Sequence, residues 1–217
     1  MSYVLEGQKR ALSLPSSTIG SIHKLGSSDY NYAGVALDGH FAVAGAPWSS
    51  SNDPAAFVFE FSQGSWTEVA MLVPSDGGLD DAFGSSVDIS GLTAIVGAYG
   101  HNSYRGAVYI FVRDTDGSWT EQAKIIARDG ASDDYFGKSV AVLADILVVG
   151  AQGRDTSYSN CGAAYIFTRS GAVWTEQKVL TTTDCTDIDF GFGYDVDVDA
   201  SSNFGNNVAT VVLTMPG

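Results

Sequence analysis

Cysteine is nearly absent from this chain: Cys161 and Cys185 are the only two in 217 residues. A disulfide-dense scaffold is therefore excluded, and stability must come from a packed apolar core. Histidine is as scarce, with three in the chain. Basic residues are few: 11 Lys and Arg stand against 25 Asp and Glu, for a formal net charge of −14. That balance argues against nucleic acid, whose phosphates need a basic face. It equally disfavours anionic membrane surfaces. No apolar run approaches the ~20 residues of a membrane span, so membrane insertion is not expected. Residues 1–20 lack the apolar centre of a secretory signal, and an Asn-x-Ser/Thr sequon is missing. Nor does any long stretch space its apolar residues at a helical period.

What the chain has instead is repetition. DGASDDYFGKSVAV, DILVVGA, GAAYIF and VWTEQKVL follow one another from Asp129 to Leu180. One unit earlier stand DGGLDDAFGSSVDI, TAIVGA, GAVYIF and SWTEQAKI, and before that a degraded NYAGVAL, FAVAGA, PAAFVF and SWTEVAML. Trp66, Trp119 and Trp174 mark the period, as do Gly45, Gly97 and Gly150. Self-similarity at a fixed period signals a repeat architecture. Each unit reads as four short strands, with Val-, Ile-, Phe- and Tyr-rich runs separated by Gly, Asp and Ser. Four antiparallel strands at this period form the pattern of a propeller blade.

Phe83-Gly84 and Phe136-Gly137 lead into Ser-Val, and AIVGA and ILVVGA follow, with Gly45-Ala46-Pro47 in the first unit. These motifs resemble FG-GAP repeats, the blades of the integrin α-subunit head and of many microbial surface proteins. The WTEQ element is nearest the variety common in bacterial and algal extracellular proteins. The resemblance implies an extracellular or cell-surface location. It also implies that the FG strand is innermost, the GAP strand second, the VYIF strand third and the Trp strand outermost. Val35, Leu37, Val87, Ile89, Val140 and Val142 are then expected between blades, with the three tryptophans as packing residues.

The expected fold is an all-β propeller forming one domain over residues 1–217. Its repeats cover about 26–72, 73–125 and 126–180. The remainder splits between the ends: Ser2–Leu5 and Ile19–Leu25 match third and fourth strands. Phe192–Val198 and Val208–Leu213 match first and second strands. We expect four blades closed by a two-plus-two clasp between residues 181–217 and 1–25, since closure hides sheet edges. A fragment of a larger propeller is the rival.

Carboxylates lead into the first strands at Asp76…Asp80-Asp81 and Asp129…Asp133-Asp134, echoed by Asp184, Asp187 and Asp189. They read either as turn residues bonding nearby backbone N–H groups or as a ring able to hold a hard cation. The family's own calcium loop, of D-x-D-x-D-G type, sits between FG and GAP strands. Here those hairpins are too short, except in the last unit, where Asp195, Asp197 and Asp199 precede a longer one. Ca2+ at those three is the one cofactor reading.

The second-to-third-strand loops vary most and share a face with the acidic turns. Trp48, Asn52, Asp53, Tyr99, His101, Tyr104, Arg105, Arg154, Asp155 and Tyr158 are the candidate ligand-binding residues. Aromatics among directed polar groups suit protein or glycan recognition. Cys161 and Cys185 fall on that face in neighbouring units and are expected to form a disulfide, with two free thiols as the alternative. His23, His40 and His101 occupy unrelated repeat positions and no hydrolase motif is present, so no catalytic residue is assigned. The expected function is a non-enzymatic recognition or adhesion module, with a lectin or a structural subunit of a surface assembly as alternatives.

Overall fold

The computed structural model describes residues 30–31, 33–49, 53–155, 160–182, 191–201 and 208–214. A short strand β1 (Tyr30–Asn31) precedes the first sheet, made of β2 (Gly34–Asp38), β3 (Phe41–Ala46), β5 (Ala55–Ser62) and β6 (Ser65–Leu72). Strand β4 (Trp48–Ser49) leaves that meander to pair with β1. The second sheet is β7 (Phe83–Ser90), β8 (Thr93–Ala98), β9 (Ala107–Arg113) and β10 (Trp119–Ile125). The third is β11 (Ser139–Leu143), β12 (Ile146–Ala151), β13 (Ala163–Ser170) and β14 (Val173–Leu180). Each is a four-stranded antiparallel meander in chain order, and β15 (Asp195–Ser201) pairs with β16 (Val208–Thr214) as a further hairpin.

Local sequence accounts for these elements. Two-residue turns join the first and second strands, and their left-handed positions fall on Gly39, Gly91 and Ala144. Such turns need positive φ, which glycine adopts at no steric cost. Each outer hairpin carries a register shift at the same place, at Val58/Phe59, Glu121/Ala123 and Ile166/Phe167. A bulge there adds local twist to the sheet. Within the sheets, Gly45, Gly97 and Gly150 stand opposite Gly34, Ser86 and Ser139. That common register equates Val35, Val87 and Val140 along the inner strands.

The sheets stack face to face. Val43, Val58 and Leu72 of the first meet Ile89, Val96 and Tyr109 of the second. Ile95, Val108 and Ile110 on the other face of the second meet Val140, Val142, Leu147 and Tyr165 of the third. Val196 and Val198 of β15 meet Ala141, Val148 and Ala164. Trp66, Trp119 and Trp174 pack on the edges of separate clusters as half-buried residues. Their role is structural, as expected of outer-strand tryptophans. Phe136, fully buried, sets its ring edge-on to Tyr165 and Phe167, an arrangement favoured by the aromatic quadrupole.

One core expectation fails. Val35 and Leu37 are 48% and 44% exposed. Inner-strand apolar residues turn towards the preceding sheet, as Val87, Val140 and Val196 do. For β2, no described segment precedes it against which Val35 and Leu37 can pack. The inner ends of β2, β7, β11 and β15 nonetheless border one cavity of about 360 Å3, lined by Val35, Val87, Val140 and Asp195 among others. The clasp strands expected at Ser2–Leu5 and Ile19–Leu25 lie outside the described residues, as do Asp184, Asp187 and Asp189.

Candidate recognition site on the loop face

The loop after β8 departs from the ordinary backbone. A single helical turn, α1 (His101–Tyr104), carries left-handed φ values at Asn102, Ser103 and Tyr104 in succession. Left-handed conformations cost non-glycine residues energy and persist only where the surroundings impose them. Here the next acidic turn imposes them: Asp133 N–H donates to the Ser103 carbonyl (3.3 Å), Tyr135 N–H to Tyr104 (2.8 Å) and Phe136 N–H to Arg105 (3.2 Å). Asp133 and Tyr135 are themselves left-handed.

This turn gathers three tyrosines. The Tyr99 and Tyr104 rings stack at 6.4 Å, and Tyr135 leans on both, at 6.1 and 5.5 Å. Tyr104 remains 45% exposed. Lys138 places its Nζ 4.0 Å from the Tyr99 ring centre, a cation–π contact. Burial lowers the Lys138 pKa and raises that of Tyr99. Lys138 also lines the cavity between the inner strands.

The acidic turns take their structural reading. Asp76 accepts from Tyr109 Oη at 2.9 Å and pairs with Lys124 Nζ at 2.7 Å; these two groups lower its pKa. Asp129 repeats the arrangement one unit later, accepting from Tyr165 Oη at 3.0 Å and pairing with Arg154. Burial, chiefly, drives both phenol pKa values upward. Asp81 caps its turn by accepting from Gly78 N–H at 3.0 Å and holds His101 Nδ1 at 2.7 Å. Lys124 Nζ lies 2.8 Å from His101 Nε2. An ammonium has no acceptor, so Nε2 accepts and Nδ1 carries the hydrogen donated to Asp81. Buried Asp134 accepts from Ala131 N–H at 2.8 Å; desolvation raises its pKa more than Arg154 lowers it. Among the described residues no group of three His, Cys, Asp or Glu is placed to hold a metal ion.

The expected binding residues therefore separate. Tyr99 and Tyr104 come together. His101, Arg105 and Arg154 have their polar ends engaged within the chain: Arg105 Nε donates to the Gly130 carbonyl at 3.0 Å, and Arg154 pairs with Asp129 while lying 5.5 Å over the Tyr165 ring. Asp155 accepts from Asn160 N–H at 2.9 Å. Trp48 is 54% exposed and stands apart on β4, with exposed Asp53 after it. Asn52 and Tyr158 lie outside the described residues, as does Cys185; Cys161 is buried. Asp195, Asp197 and Asp199 line the exposed side of β15. Tyr135 and Lys138 were missed by the sequence reading. The signal was there, in DDYFGKSV against DDAFGSSV: Tyr135 and Lys138 replace the small Ala82 and Ser85 of the preceding unit.

The glycines of the repeat meet between sheets. Gly84, Gly137 and Gly193 all have positive φ, and a side chain on each would strike the Ala55, Ala107 or Ala163 carbonyl of the preceding sheet. The FG-GAP repeat family matches residues 66–111 and 119–167. The chain is an FG-GAP repeat protein. Each matched segment runs from an outermost strand through the first three strands of the next sheet, β6 to β9 and then β10 to β13. The sequence unit of this FG-GAP protein is thus one strand out of phase with its sheets, so every unit spans a sheet boundary. FG-GAP repeats in general build integrin-like adhesion and recognition modules, commonly extracellular. No curated protein matches the chain. No helix among the described residues is long and apolar enough to cross a membrane.

Proposed function

We propose that this FG-GAP protein is a non-enzymatic recognition or adhesion module of the cell exterior, a four-bladed ring that binds a protein partner through its loop face. The tyrosine cluster carries the reading. Tyr99, Tyr104 and Tyr135 offer flat, rigid apolar area with polar tips, the side-chain type enriched at interface cores. Tyr104 is held exposed by a left-handed turn docked on the next acidic turn, and backbone strain of that kind gathers at functional sites. In this reading Trp48, Asp53 and Asp155 belong to the same loop face.

Two observations support the ring. Four inner strands border one cavity. Among the described residues, the outer face of the first sheet is buried at Ala42, Phe57 and Phe59 in a cluster drawn from that sheet alone, which a further covering layer explains. Residues 1–25 supply that layer in this reading, with Val208–Leu213 pairing against Tyr3–Leu5. A Cys161–Cys185 disulfide joins neighbouring blades; burial of Cys161 and its not being a free thiol support it.

The test is binding of the purified chain to a panel of extracellular proteins and to a glycan array. Saturable protein binding, lost in Tyr104→Ala without a change in melting temperature, is the expected result. Glycan binding with the same mutational profile would make the module a lectin. Binding indifferent to Tyr99→Ala, Tyr104→Ala and Trp48→Ala would remove the loop face from the reading. Deletion of residues 1–25 tests the clasp: an equally stable monomer would refute it.

A further inference from the structure

The seams between sheets share a bonding rule. At the second seam, Ser86, Asp88 and Ser90 of β7 reach across to β11: Ser86 Oγ donates to the Gly137 carbonyl at 2.8 Å, Asp88 accepts from Val142 N–H at 2.7 Å, and Ser90 Oγ accepts from Ala144 N–H at 3.0 Å. At the first seam, Asp38 of β2 accepts from Gly91 N–H of the next hairpin at 2.6 Å. At the third, Ser139 Oγ accepts from Val196 N–H at 2.8 Å. The innermost strand is the edge of its sheet, so its centre-facing N–H groups have no ladder partner. Buried backbone donors must find one, and Asp38, Asp88, Ser90 and Ser139 of the preceding strand supply it, whereas Ser86 donates to a carbonyl.

The register of the paired strands makes Asp195, Asp197 and Asp199 the counterparts of Ser86, Asp88 and Ser90. The match extends to a bond already made: Asp197 accepts from Val198 N–H at 2.9 Å, as Asp88 accepts from Ile89 N–H at 2.9 Å. Asp88 gives its other carboxylate oxygen to the next inner strand. The three aspartates are exposed on β15, while Val35 and Leu37, at the positions of Val140 and Val142, are the exposed apolar residues of β2. Both strands border the central cavity.

We infer that Asp195, Asp197 and Asp199 form the acceptor side of the seam that closes the ring, taking the backbone N–H groups of Val35, Leu37 and Gly39 of β2. The alternating aspartates are then a latch between the last and first inner strands and not a calcium loop. The first seam uses one such side chain and the third uses one, whereas this seam has carboxylates at all three positions. Charge-assisted bonds to backbone N–H are roughly twice as strong as neutral ones, which suits the one seam that joins strands far apart in the chain. The inference rests on the ring proposed above, but not on the clasp of the outer strands.

Amide hydrogen exchange by NMR on the metal-free full-length chain tests it. The Leu37 and Gly39 amides are expected to be protected in the native chain. Asp197→Ala should speed exchange at Leu37 about tenfold or more, the loss of one charge-assisted bond, with the Val142 amide unchanged as the internal control; Asp197→Asn, which keeps an acceptor, should restore most of the protection. Unprotected Leu37 and Gly39 amides in the native chain would overturn the latch whatever the variants do. So would protection that appears only with added CaCl2 and vanishes with EDTA, since the aspartates would then be cation ligands. A failed clasp with a protected Leu37 leaves the latch standing.

Discussion

Gly97 lies against the Gly137 carbonyl of the next sheet so closely that a methyl group on it would overlap that oxygen. Gly45 with Gly84 and Gly150 with Gly193 repeat the contact. The two glycines of the family signature are therefore two halves of one contact, made between neighbouring units. Gly97→Ala should destabilise the chain by about 1–3 kcal/mol or more, the usual range for overpacking a closed site. At Gly34 an added methyl would meet Val87 at an ordinary 3.9 Å, so Gly34→Ala should be near neutral. Urea denaturation of the pair checks this; equal midpoints would show that the seam yields.

Asp134 gives the stability of the fold a pH signature. Desolvation holds its folded pKa above the ordinary aspartate value. As pH rises through the window from ~4 to that folded value, the unfolded chain releases this proton first, and stability falls. Above the window the loss is complete; below it the contribution disappears. Asp134→Asn keeps an acceptor for Ala131 N–H and does not titrate. Its melting temperature should gain on the native chain at neutral pH, and the gain should shrink as pH falls through that window towards ~4. Asp76, whose pKa is lowered, acts in the opposite sense in both proteins and cancels in the difference. A gain independent of pH would refute the assignment.

The proposed Cys161–Cys185 bridge predicts that reduction lowers stability by roughly 2–4 kcal/mol. Intact-mass analysis of unreduced, alkylated protein is the direct check. Two alkylated thiols would end the proposal.

Chelation should do little. Ca2+ takes six to eight oxygen ligands, and the two-residue turns at Gly39, Gly91 and Ala144 offer no such set. A ligand that binds only the folded state raises its stability, so EDTA should leave the melting temperature unchanged within about 1 °C if no cation is bound. A large drop, restored by CaCl2 and absent in Asp197→Ala, would return the last unit to the calcium reading.

The sequence by itself determined the strands, their order within each sheet and the repeat. Alternating apolar residues, turn glycines and recurring tryptophans are local signals, and strand pairing within a meander follows from chain proximity. It also marked Tyr99 and Tyr104 as candidates. What it left undecided was which polar side chains are spent inside the molecule. His101, Arg105 and Arg154 look like ligand-binding groups in a loop, yet each is tied to an acidic turn more than fifteen residues away in sequence, and only the stacking of sheets brings those groups within bonding distance. Tyr135 and Lys138 join the tyrosine cluster for the same reason: the turn of one unit docks on the loop of the one before it. The three aspartates of β15 are the sharpest case. Their alternation suggests a metal loop when read along the chain, but their register against β16 equates them with side chains that bond a neighbouring strand's backbone. That equivalence is a property of the paired sheets, because hydrogen-bond donors on an edge strand are satisfied by whatever the fold sets beside them.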